Sequence, residues 1–73
     1  MDIKLRRHTK RLGKNIANER MKKNMTQYRL AQKLSTDQSN MARIEGGKIN
    51  CTVKTLLKIS EILDCRVRDF FDF

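Results

Sequence analysis

Seventy-three residues suffice for one domain, near the size at which a single core only just offsets the entropy of the chain. Seventeen lysines and arginines against eight acids leave a net charge of +9, which points to a polyanionic partner, nucleic acid ahead of an anionic membrane surface. No apolar run approaches the roughly 18 residues of a membrane span, and the opening MDIKLRRHTK lacks the apolar segment of a secretion signal, so a cytoplasmic location is expected.

Residues 1–9 are read as a basic, flexible arm, followed by a single domain over 10–73. The first helix has Leu12, Ile16, Ala17 and Met21 on one face and should stop at Asn24, a residue that tolerates the left-handed cap conformation. Thr26 caps a second helix that turns Leu30, Ala31 and Leu34 inward. Thr36 or Asp37 caps a third, QSNMARIE, in which only Met41 and Ile44 are large and apolar, and Gly46-Gly47 ends it. Thr52 caps a fourth helix with Val53, Leu56, Leu57, Ile59, Ile62 and Leu63 inward, ended near Asp64, and a last short turn holds Val67, Phe70 and Phe71. With no proline and only three glycines, strand-and-turn architectures lack punctuation. The expected fold is all-α, a compact domain of four helices plus a short fifth.

Charge is uneven along this plan. Residues 1–24 carry nine basic residues against two acids, 25–50 four against two, and 51–73 four against four, so a basic N-terminal side is joined to a neutral back. Between the second and third helices stand only Ser35, Thr36 and Asp37, too few for antiparallel packing. Such a turn throws the third helix across the second and leaves one face outside the domain, the geometry of a helix-turn-helix whose second helix lies in the major groove. The outward residues Gln38, Ser39, Asn40, Ala42 and Arg43 fit that duty. Low bulk lets the helix enter between phosphate walls, and amides and hydroxyls hydrogen-bond to base edges.

The run MTQYRLAQKLSTDQSNMARIEGGKIN, followed by TVKTLLKISEILDC and DFF, resembles the Cro/C1-type (lambda-repressor-like, also called XRE) DNA-binding domain. The resemblance spans residues 12–71 and rests on a set: Thr26-Gln27, Leu30-Ala31, Met41, Arg43-Ile44-Glu45, Gly47-Lys48, Thr55-Leu56-Leu57 and Leu63. It implies a sequence-specific binder of double-stranded DNA that regulates transcription, with neither cofactor nor metal. Gln38 and Ser39 match the base-reading start of the recognition helix, and a glutamine bonds bidentately to adenine N6 and N7. Ala42 would meet a thymine methyl, Arg43 a guanine or a phosphate, and Asn40 a base or the backbone. Gln27 would hold a phosphate and brace Gln38. Lys48, Thr26 and Arg29 complete the expected phosphate side, together with amides at helix N-termini. Arg20 and Glu45 match a structural ion pair between the first helix and the end of the recognition helix.

Four positions depart from the family pattern. Ser35 stands where a turn glycine is usual, Cys51 replaces a frequent proline, Arg29 sits where a glutamate would complete a capping box, and Glu19 occupies a position often filled by leucine, with Met21 expected to supply the missing apolar contact. Two readings of the basic arm stay open: contacts along a groove, as in related arms, or a solvated tail whose charge raises the association rate. The aromatic terminus RDFFDF supplies Phe70 or Phe71 to the core, while Phe70 and Phe73 are candidate contacts of a homodimer, the usual state for reading palindromic half-sites about one helical turn apart.

Rival functions find less support. A single histidine, His8, has no carboxylate or second histidine in reach, no nucleophile is paired with a base, and Gly46-Gly47 is a helix stop rather than a phosphate loop, so an enzyme is not expected. Cys51 and Cys65, fourteen positions apart, form no metal motif and read as packing thiols. Binding to a membrane surface would take Leu5, Leu12 and Ile16 from the core of the first helix. The alternative that stays open is an antitoxin-like module that neutralises a toxin and autoregulates its operon. Within the DNA-binding reading, steric occlusion of a promoter needs the fewest surfaces, which favours a repressor.

Overall fold

The computed structural model describes residues 2–73. Helix α1 runs Ile3–Lys22, α2 Gln27–Leu34, α3 Gln38–Glu45 and α4 Val53–Ile62, and a 3-10 turn, Val67–Phe71, closes the chain; no strand occurs among the described residues. All four helices begin on a side-chain cap, which satisfies one of the backbone N–H groups that a first turn leaves unpaired. Asp2 accepts from the Leu5 N–H at 2.8 Å, Thr26 from Arg29 at 3.0 Å, Asp37 from Asn40 at 2.6 Å and Thr52 from Thr55 at 3.2 Å. Each helix ends on a left-handed residue: Asn24 (φ 54°), Ser35 (φ 60°), Gly47 (φ 70°) and Asp64 (φ 50°). Behind each, an amide reaches back five residues, as from Thr36 to the Ala31 carbonyl at 3.0 Å and from Lys48 to that of Arg43 at 2.9 Å. These bonds occupy the last carbonyls and fix the exit of the chain.

The core is one cluster drawn from every element: Ile16 of α1, Leu30 and Ala31 of α2, Met41 and Ile44 of α3, Leu56 and Ile59 of α4, Leu63 and Phe70. Full burial of each large side chain contributes about 1.5–3 kcal/mol. Three expected core residues lie outside it. Met21 is 54% exposed, because the inward stripe of α1 follows Thr9, Gly13, Ile16 and Arg20, and Arg20 holds the place next to it. Met21 therefore does not replace the leucine missing at position 19. On α4 the inward stripe is Leu56, Ile59 and Ser60 followed by Leu63, which leaves Val53 at the N-terminal edge and Leu57 on the flank, both exposed.

Residues 2–9, expected to stand apart as an arm, are instead the cap and first turns of α1. Asp2 starts the helix, no glycine or proline interrupts it before Gly13, and the intervening lysines and arginines are good helix formers. Thr9 is buried, and its hydroxyl donates to the Gly47 carbonyl at 2.9 Å. Met1, the first residue of the expected arm, lies outside the described residues.

Candidate nucleic-acid interface

The turn between α2 and α3 is built by its own side chains. Ser35 takes a left-handed conformation (φ 60°, ψ 42°), reversing the chain where a glycine would do so without strain. Asp37 then receives both the Asn40 N–H and the Ser39 hydroxyl, the latter at 2.8 Å. These two bonds, the first the stronger, and the charge of Arg43 hold the Asp37 carboxyl below the usual carboxylate range. Asn40, expected to reach a base or the backbone of the DNA, turns its amide back to donate to the Thr36 hydroxyl at 2.9 Å and is half-buried. It braces the turn from inside the helix.

Met41 and Ile44 bind α3 to the core, while Gln38, Ser39, Ala42 and Arg43 are exposed on the opposite side. This division makes an eight-residue helix with one buried edge and a narrow polar face, small enough for a groove about 12 Å wide. Lys48 and Arg29 are exposed at the ends of the helix pair; the Thr26 hydroxyl is already engaged as the cap of α2.

Beneath that face lies a nearly buried ionic network. The Arg20 guanidinium forks onto Glu45, Nε to Oε2 at 2.8 Å and an Nη to Oε1 at 3.0 Å, with side-chain exposures of 13% and 6%. Its other Nη donates to the Met25 carbonyl at 2.8 Å. Gln27, expected to brace Gln38, donates instead to Glu45 Oε1 at 3.1 Å. The Arg20–Glu45 pair thus joins α1, the loop before α2, the start of α2 and the end of α3. Bidentate, charge-assisted bonds of this kind also fix orientation.

Two glycines set the height of α3 over α1: Gly13, missed by sequence reasoning, and Gly47, read there as a helix stop and a family position. A Cβ on Gly13 would collide with the Ile44 and Glu45 carbonyls, so the end of α3 lies directly on the α1 backbone. Gly47 is equally closed, since a Cβ there would strike the Lys10 backbone. A glycine inside a helical pattern signals a close approach without saying to what. Phe70, a candidate dimer contact, is fully enclosed in the core and has no surface to offer a second copy; Phe71 and Phe73 are about half exposed. The Phe73 ring lies 5.9 Å from the His8 ring and from the Arg11 guanidinium carbon, beside an open apolar groove lined by Leu5, Leu12, Val53 and Phe71.

Cys51 and Cys65 are free and packed against the core, and burial pushes both thiols up. Glu19, Cys65 and Asp69 bring possible ligand atoms within 4.8 Å of one another, a juxtaposition the sequence did not suggest. Glu19 is already paired with Lys22 at 2.7 Å and Asp69 accepts the Arg66 N–H at 3.1 Å.

A short helix set after a tight turn, fixed from behind by an ion pair and exposed on a narrow polar face, defines a helix-turn-helix protein. Residues 15–73 match the Cro/C1-type HTH DNA-binding domain, and the chain belongs to that family. Among solved structures it resembles the restriction-modification controller protein C.AhdI from Aeromonas hydrophila, at 26% identity and a TM-score of 0.84 over 90% of this chain and 96% of that one. The clp gene regulator ClgR from C. glutamicum shares the fold at 21% identity and a TM-score of 0.81, over 85% of this chain and 80% of that one. No match is found among curated proteins. No helix among the described residues is long and apolar enough to cross a membrane.

Proposed function

We propose that this protein is a sequence-specific regulator of transcription that binds a palindromic operator as a homodimer and represses by occluding a promoter. The observation that carries this reading is the division of α3: Met41 and Ile44 hold it, while Gln38, Ser39, Ala42 and Arg43 face outward with no share in the core. Gln38 reads an adenine, Ala42 lies against a thymine methyl, and Arg43 reaches a guanine or a phosphate. Lys48, Arg29 and the first amides of α2, with Gln27 beside them, hold the backbone on either side. The similarity to a restriction-modification controller and to a gene regulator supports a regulatory role.

A dimer is supported by the exposed apolar side chains that the core leaves unused, Leu5, Val53, Phe71 and Phe73, which cluster around one groove. The experiment is a binding selection from random duplex DNA, followed by titration of the winning site. A palindromic winner bound far more tightly than random duplex is the expected result. Weak and uniform binding would move specificity to a protein partner and bring forward the antitoxin-like alternative.

A further inference from the structure

The first turns of α1 lie before the residues that the family match covers, and the DNA-binding reading assigns them no oriented role. They are nonetheless fixed to the loop that follows the reading helix. The Thr9 hydroxyl donates to the Gly47 carbonyl, and the Lys10 backbone lies so close to Gly47 that no Cβ fits between them. Lys48 is the next residue of that loop.

The direction of the side chains follows from the helix itself, at 3.6 residues per turn. One stripe of α1 faces the C-terminal turn: His8 beside Phe73, and Asn15, whose amide donates to the Phe70 carbonyl at 3.1 Å and that of Asp72 at 3.2 Å. The neighbouring stripe, Thr9, Gly13 and Arg20, faces the end of α3 and the loop beyond it. Continuing around the helix in the same sense, the next stripe is Arg6 and Lys10, one turn apart and both exposed. It lies beyond α3 from the C-terminal turn, next to the loop that carries Lys48. Neither cation is ion-paired; the pairs among the described residues are Arg20–Glu45 and Lys22–Glu19.

From this geometry we infer that Arg6 and Lys10 form a fixed cationic ridge that binds DNA phosphates next to the Lys48 contact. The inference rests on the DNA-binding reading and lengthens its phosphate track with residues outside the matched domain. Because the ridge is helix docked on Gly47, it meets the backbone already ordered, and little side-chain or segment entropy is lost on binding beyond that of two side chains. Each phosphate neutralised releases counterions, so the slope of log affinity against log salt records the contacts one by one.

The test is a salt series, read by fluorescence anisotropy, on the duplex selected above and on a random duplex, for the parent and for Arg6→Ala, Lys10→Ala, Lys48→Ala and Lys4→Ala. Lys4 carries the same charge on the same turns but lies on the opposite flank, with Arg7, His8 and Arg11. Arg6→Ala and Lys10→Ala are expected to make the slope shallower by about 0.9 each, as Lys48→Ala does, and to weaken both duplexes by the same factor. Lys4→Ala is expected to leave the slope unchanged. An equal effect of Lys4→Ala would make the segment an unoriented charge cloud and overturn the ridge. Parental slopes for Arg6→Ala and Lys10→Ala beside a shallower slope for Lys48→Ala would overturn it while the DNA-binding reading stands. A parent that binds neither duplex would overturn both.

Discussion

At the scale of single residues, exposure separates the outward side chains proposed to read bases from those that hold the fold. Gln38 is exposed at the first position of α3, so Gln38→Ala should leave stability within about 0.5 kcal/mol of the parent while discrimination at one base pair falls by about 1–3 kcal/mol. Competition binding with single-base operator variants measures this; an equal loss on every sequence would remove Gln38 from the readers. Arg20→Ala should do the reverse. It strands the Glu45 carboxylate, 6% exposed, with Gln27 as its remaining side-chain partner, a loss of about 3 kcal/mol in a urea unfolding curve. Asp37 adds a dependence on pH. Its folded carboxyl is depressed below the ordinary 3.8, so its contribution is complete above that value and is lost as pH falls through the lower folded one. Asparagine keeps the cap without titrating, so the stability gap between the parent and Asp37→Asn should change between pH 7 and pH 3 in favour of the variant. Equal gaps at the two pH values would show that the carboxylate adds nothing.

At the scale of elements, the crossing of α1 and α3 is the tightest fit. Gly13→Ala should force the two backbones apart and cost about 1–3 kcal/mol despite the better helix propensity of alanine, seen as a lower melting temperature. An unchanged or higher melting temperature would mean that the crossing is slack. Local signals made most of the elements legible: Thr26, Asp37 and Thr52 announce helix starts by residue type, and Asn24 and Gly46-Gly47 announce stops. The Asp2 cap was equally local, but the density of charge behind it reads as a solvated arm until Thr9 is seen beneath Gly47. Of the contacts between residues far apart in the chain, the Arg20–Glu45 pair was legible through the family resemblance, and the others were not. Nothing in the spacing of Gln27 and Glu45 shows that they meet, and the inward stripe of α1 is steered by Arg20 rather than by the apolar Met21. In the reading helix, exposure at Gln38, Ser39, Ala42 and Arg43 follows from the placement of Met41 and Ile44, whereas the inward turn of Asn40 depends on a hydroxyl four residues back.

At the scale of the whole molecule, the C-terminal turn comes back to the N-terminal half of α1. Phe73 packs near His8 and Arg11, and Phe71, Val53 and Leu5 border the same groove, so this side carries an apolar face edged by cations. If the protein dimerises here, Phe71→Ser with Phe73→Ser should raise the dimer dissociation constant by at least about tenfold in sedimentation equilibrium, since each buried phenylalanine contributes about 1.5–3 kcal/mol. An unchanged constant would place the contact elsewhere. The split of α3 into an anchored edge and an unanchored face has a consequence for descent as well. Stability filters substitutions at Met41, Ile44 and Glu45, but scarcely those at Gln38, Ser39, Ala42 and Arg43. On the proposed function, a lineage built on this scaffold could therefore change operator by short mutational steps through folded intermediates, so that duplicated copies diverge in address while keeping one architecture.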